Sequence, residues 1–210
     1  MNTLKHAQIS QKRHGGQLDD YLAIHSLIDS TKKLCSDNRH RILHTFWGIQ
    51  EVVIPLFGEY FINSNGTYLD TKDFCEKDHL LIDFQHKFIP TLADFVEVLD
   101  LTVPPDLARR IENIHSRYIG HPEISRILLS PLSTTGQLKS LLLTHNSWFI
   151  NNVLVKMNFT QTQFVDFDIS PAFFFNSMQF EMWMDNGFEL PPSARNNQFS
   201  HHNNRRILDE

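Results

Sequence analysis

One stretch of this sequence departs from the pattern of all the others. Residues 60–70, YFINSNGTYLD, set aromatic and β-branched side chains around Asn65-Gly66. That is the signature of a hairpin, with Asn-Gly pointing to a type I′ turn. Elsewhere apolar residues recur at helical spacing, in short runs closed by glycine or proline. The contrast predicts a mainly α chain: a helical bundle with one short β-hairpin near residues 60–70, plus a helical C-terminal half.

The runs follow one another closely. NTLKHAQISQKRHGG predicts a helix stopped at Gly15-Gly16. Asp19 or Asp20 is expected to cap a second helix through YLAIHSLIDSTKKLC, with Tyr21, Ile24, Leu27 and Ile28 as its apolar stripe. Ser36 or Asp37 begins a third, which runs towards Gly58 and which Pro55 is expected to kink or end. FCEKDHLLIDF and LADFVEVL read as helices separated at Pro90-Thr91. Beyond them, Leu107, Ile111, Ile114 and Tyr118 share one helical face ahead of Gly120, and GQLKSLLLTHNSWFINNVLVKM reads as a longer amphipathic helix. Ser170-Pro171 looks like an N-cap followed by proline at the first helical position, opening AFFFNSMQFEMWMD, with Gly187 as its stop.

A chain of 210 residues makes one large domain or two small ones. The composition shifts suggest a His/Asp-rich helical domain over 1–100, an aromatic-rich interaction half over 101–190 and a polar tail over 191–210. Cys35 and Cys75 form no CxxC pair, the N-terminus lacks a signal-peptide pattern, and no run approaches a membrane span. These features predict a soluble cytoplasmic product of a bacterium or an infected host cell, or a virion component. A net charge of −5 argues against nucleic-acid binding, although Arg39, Arg41 and the NNRR run at residues 203–206 offer local positive charge.

Twelve histidines are present, and three segments repeat one arrangement. His25 precedes Asp29 by four, His40 precedes His44 by four, and His79 precedes Asp83 by four. On an α-helix such residues share a face. If the helices pack together, these faces converge and His6 can join them. An all-nitrogen-and-oxygen donor set suits a divalent metal such as Zn²⁺, Mn²⁺, Fe²⁺ or Ni²⁺. The absence of thiolates favours an open, catalytic site over a purely structural one. Asp29 and Asp83 fit either as ligands or as outer groups that orient the histidines. Seven candidates exceed one tetrahedral shell, so some are outer groups or two metals bind. Each pair taken alone is as readily structural or a surface pairing. His115 and His145 lie beside apolar stripes and read as hydrogen-bonded core residues. Arg39 and Arg41 read best as partners of nearby carboxylates; one that pointed into the same cleft could hold a phosphate or carboxylate bidentately. No phosphate loop, GxSxG elbow or HExxH motif is present, so no catalytic residue is assigned.

The segments HAQISQKRHGGQLDDYLAIHSLIDSTK, DNRHRILHTFWGI, FGEYFINSNG, DHLLIDF and IPTLADF, from about His6 to Leu99, resemble a family of small uncharacterised bacterial and phage proteins catalogued as a domain of unknown function. The resemblance implies that His6, His25, Asp29, His40, His44, His79 and Asp83 occupy the family's typical His and Asp positions. It implies no activity. CEKDH replaces the Glu-Gln-His run typical of that family, and QHKF lengthens the link to Ile-Pro.

Two functions compete on this reading. One is a metal-binding helical protein with a C-terminal protein-docking half, capable of metal-assisted hydrolysis with Asp83 or Asp29 as base. The other is a non-enzymatic component of a phage particle or multi-subunit complex. In either case the aromatic C-terminal half is expected to contact a protein partner or a second copy.

Overall fold

The computed structural model describes residues 1–157 and 169–195. It is mainly α, with a single two-stranded hairpin among the described residues. Phe164, Phe167 and the NNRR run lie outside the described residues.

Helix α1, Thr3–His14, starts on the Asn2 side chain, which accepts from the Lys5 N–H at 2.9 Å. It ends where Gly15 and Gly16 turn to positive φ, the region glycine enters without strain. Its buried residues are His6, Ala7 and Ser10, so the face it turns inwards is largely polar. Helix α2, Asp19–Ile28, buries Tyr21, Ile24, Leu27 and Ile28 as its stripe predicts. It stops earlier than expected: Asp29 is its C-cap, and Ser30–Lys33 continues only as a 3₁₀ turn. Asp20 is not its cap. It instead accepts from the Gln17 and Ser64 N–H groups.

The third expected helix is interrupted. Asn38–Leu43 is a 3₁₀ segment, the backbone leaves helical geometry at Arg41, and His44 sits at φ −84°, ψ 46°. Thr45 then caps a fresh helix over residues 46–57, accepting from the Gly48 N–H at 3.1 Å. Gly48 permits this restart, because a Cβ there would lie 2.2 Å from the Leu43 carbonyl oxygen. Pro55 does not end the helix. The Ile49–Val53 turn before it is widened to π geometry, with Ile54 N–H reaching Ile49 O, and the helix runs on to Gly58.

Strands β1 (Tyr60–Ile62) and β2 (Tyr68–Asp70) pair antiparallel with Ile62 opposite Tyr68. The hairpin lies where expected, but its turn is not type I′. Of Asn65 and Gly66, only Gly66 has positive φ, whereas type I′ needs both. Five residues form the loop, and the Asn63 side chain closes it by accepting from Asn65 and Thr67 N–H groups.

Residues 71–83 form a helix whose middle turn, Glu76–Leu80, is again π. Leu92–Glu97 follows, with a Thr91/Asp94 capping box. Pro105–Ser116 buries Leu107, Ile111 and Ile114 as its spacing predicts. It is followed by Pro122–Thr135, a helix that tolerates Pro131. The long amphipathic helix expected after Gly136 is instead three pieces: the 3₁₀ turns Leu138–Leu143 and Leu154–Met157, and between them Ser147–Asn152, capped by Asn146. Ser170 does cap a helix beginning at Pro171, but it ends at Asn176. Met178 then leaves helical geometry to form a β-bridge with Leu99.

The core is continuous between the two ends of the chain. Phe95 meets Trp183 edge-on with ring centroids 4.9 Å apart, and Trp47 donates to Ser130 Oγ at 2.8 Å. Of the aromatic segment, Phe174, Phe175, Trp183 and Met184 are buried, while Phe173, Phe180, Met182 and Phe188 are exposed. Among the described residues, no helix is long and apolar enough to cross a membrane.

Candidate metal centre

The elements above meet at one buried point. Asp29 arrives at the end of α2, His44 from the break before residue 46, and His79 and Asp83 from the 71–83 helix. His44 Nε2 lies 3.1 Å from His79 Nε2, 3.2 Å from Asp83 Oδ2 and 3.4 Å from Asp29 Oδ1. His79 Nε2 lies 3.5 Å from Asp29 Oδ1 and 4.0 Å from Asp83 Oδ2. All four donor atoms fall within 4.8 Å of one another. A tetrahedral shell with metal–ligand bonds near 2.0 Å has ligand–ligand edges of about 3.3 Å. Four of these separations lie close to that value, and the fifth is longer.

The side chains are sealed from solvent: His44 and His79 are fully buried, and Asp29 and Asp83 nearly so. Burial raises both carboxyl pKa values, but the imidazoles beside them outweigh it and hold both groups below the ordinary carboxylate range. Both carboxylates therefore stay ionised. Asp29 Oδ1 and Asp83 Oδ2, the oxygens that face the imidazoles, are buried without a hydrogen bond. Their imidazole contacts are close in distance but off the hydrogen-bond direction. Lys32 Nζ stands 2.7 Å from Asp29 Oδ1 on the same terms. An ionised oxygen buried without a hydrogen bond costs more than about 1–3 kcal/mol, which a cation bound between these oxygens would offset.

The remaining oxygens are tied down. Thr3 donates to Asp29 Oδ2 at 2.8 Å, and Asp83 Oδ1 takes the Met1 ammonium at 2.6 Å and His6 Nε2 at 3.1 Å. Arg41 is buried beneath the site rather than paired at the surface. It donates to the carbonyls of Asp83 and Met184 and lies over the Phe84 ring. Arg39 does pair with a nearby carboxylate, Asp37, and also donates to the Phe175 and Met178 carbonyls.

An outer layer of imidazoles packs against His79. His79 Nδ1 is 2.8 Å from His25 Nδ1, and His25 Nε2 is 3.0 Å from Ser10 Oγ. Burial keeps both rings neutral: His25 is lowered to about 3, and His79 falls well below its usual value. With an ion on Nε2, His79 would carry its proton on Nδ1 and donate to His25. His25 would in turn donate from Nε2 to Ser10. Outer hydrogen bonds of this kind fix the orientation of a ligating ring. His6 stacks on His79 at 3.9 Å and faces the Asp78 carbonyl and Asp83 through its two nitrogens. His6, His25 and His79 are also close enough to hold an ion. Both the 2.8 Å His25–His79 pair and the 3.1 Å His44–His79 pair have the spacing of a hydrogen bond, but both His6 nitrogens face oxygen, which leaves the first group the weaker candidate.

Of the seven expected residues, four thus converge, His6 and His25 pack around them, and His40 lies edge-on to His44 at 6.0 Å without joining the donor group. The backbone break at Arg41 separates His40 from His44, and its Nδ1 turns to the Asp37 carbonyl instead. Thr3, Ser10 and Arg41 join the site without having been expected there. The signal for Thr3 and Ser10 lay in α1, where Thr3, His6, Ala7 and Ser10 repeat at helical spacing on a face that is not an apolar stripe.

No curated protein and no solved structure matches the chain. Residues 1–103, which hold every member of the site, match the family model described as Domain of unknown function (DUF6915).

Proposed function

We propose that this chain binds one divalent metal ion through His44 Nε2, His79 Nε2, Asp29 Oδ1 and Asp83 Oδ2. The observation that carries the reading is a buried set of four donor atoms near tetrahedral spacing, two of them ionised oxygens with no hydrogen bond. Zn²⁺ fits best among the candidates, since Mn²⁺ prefers octahedral oxygen shells and non-haem Fe²⁺ sites keep open positions. Four protein donors make a closed shell, and the ion then ties the end of α2 and the His44 turn to the 71–83 helix. Hydrolysis would need a water on the ion, through a fifth position or the departure of one carboxylate.

Elemental analysis of protein purified from cultures supplemented with zinc, manganese and iron tests the proposal. About one equivalent of metal is expected in the parent and a large loss in His44→Ala. A parent that stays below about a tenth of an equivalent in every medium contradicts it.

A second reading is a non-enzymatic assembly component, in which the same residues form a buried polar network. Three observations favour it: His44 Nδ1 has no hydrogen bond, Lys32 and Arg41 already supply counter-charge, and Phe173, Phe180, Met182 and Phe188 are exposed for contact with a partner. Metal-free parent protein that forms a defined oligomer or complex would favour this reading over the first.

A further inference from the structure

We propose that a cavity beside the metal centre binds a small organic anion with a planar apolar body, of the aryl phosphate class. The cavity encloses about 730 Å³, within the usual range of ligand sites. Leu27 of α2, Leu56, Phe57 and Trp148 form its apolar walls. Trp148 and Phe57 supply aromatic surface suited to a flat ring.

The charge around it is unbalanced. Lys32, Lys33 and Lys156 line the cavity, against a single carboxylate, Asp29. That carboxylate is already engaged, and so is Lys32: Oδ2 accepts from Thr3, while Oδ1 faces His44 and His79 and takes Lys32 at 2.7 Å. Lys33 and Lys156 are exposed and make no ion pair among the described residues. Two ammonium groups with no ion pair among the described residues, lining a cavity with apolar walls, favour a ligand that carries its negative charge at one end and its ring at the other. Ser26, Ser30 and Asn152 add hydroxyl and amide groups for the head. Asp29 and its partner Lys32 are shared with the metal centre, but Lys33, Lys156 and the apolar walls are not, so the site stands without the ion.

The probe is phenyl phosphate, followed by Trp148 fluorescence and by calorimetry on the purified chain, with metal content measured in parallel. Saturable binding at millimolar dissociation constant or tighter is expected, with phenol and inorganic phosphate each at least about tenfold weaker. The Lys33→Met/Lys156→Met double variant alters only exposed side chains, so it is expected to fold and to lose about tenfold in affinity. Trp148→Phe is expected to abolish the fluorescence change while calorimetric binding remains. Absence of calorimetric binding, equal binding of phenol, or an unchanged affinity in the double variant would overturn the proposal. None of these results bears on metal content, so the two readings stand or fall separately.

Discussion

This chain buries imidazole in two places, and the surroundings differ. His145 is fully buried among apolar residues, where Nδ1 meets the Leu141 carbonyl at 3.0 Å and Thr144 Oγ1 at 3.1 Å. Its neighbour His115 is half-buried, with ring centroids 6.0 Å apart, and no carboxylate joins the pair in a metal-sized group among the described residues. His44 and His79 are just as buried, yet each points a nitrogen at two carboxylate oxygens that have no hydrogen bond. Burial alone therefore does not mark a functional histidine. His115 Nδ1 and His145 Nε2 are also buried without a hydrogen bond, so what separates the two places is the pair of carboxylates that converges on His44 and His79.

The largest effect that would break this contrast is expected from Asp83→Ala. Removing that carboxylate strands Arg41, His6 and the Met1 ammonium together and deletes one donor. Loss of a buried charge partner costs about 3–5 kcal/mol, so denaturant unfolding should show a loss of that order together with loss of metal. A variant with parental stability and metal content would remove Asp83 from the centre. The second effect is chelation. Stripping an ion held at a hundred to a thousand times its dissociation constant lowers stability by about 3–4 kcal/mol. The midpoint of thermal unfolding should fall on adding chelator in the parent and stay put in His44→Ala.

The next effect belongs to the other region and needs no metal. Burial lowers the His145 pKa to about 4, with the Leu141 carbonyl opposing and His115 assisting. The unfolded chain titrates near the ordinary value of about 6.5, so between these two values it binds more protons than the folded chain. The contribution is complete above about pH 6.5 and is lost as pH falls towards 4. In chelator-treated protein, His145→Gln should flatten the pH dependence of the unfolding midpoint across that window. An unchanged slope would show that His145 is not held neutral. The smallest effect is expected from His40→Gln, which removes a buried ring outside the four donors. Stability should fall by only about 1 kcal/mol with metal content unchanged. Loss of metal in this variant would place His40 in the centre.

Some of this was readable from residues alone. Glycine and capping signals locate α1 and the start at Ser170-Pro171, because those choices are local and depend on a few neighbouring atoms. The spacings of His25 with Asp29 and of His79 with Asp83 survive because both pairs sit on or at the end of real helices. The His40 and His44 rings meet edge-on at 6.0 Å, but not through helical spacing, since the chain breaks between them. That break depends on Gly48 approaching the Leu43 carbonyl, a contact that spacing does not encode. The two π turns were equally hidden. One sits ahead of Pro55, and the other carries His79. Arg41 looked like a surface partner because its acceptors, Met184 and Asn186, lie more than a hundred residues further along the chain. The short helix after Pro171 shows the same effect, since the bridge from Met178 to Leu99 overrides a local pattern that would have continued.

The most direct measurement is anomalous diffraction from a crystal of zinc-supplemented protein, recorded on both sides of the zinc edge. A single strong peak about 2 Å from His44 Nε2, His79 Nε2, Asp29 Oδ1 and Asp83 Oδ2 is the expected result. A map with no peak there, and with waters or direct proton-sharing contacts among the four atoms, would contradict it.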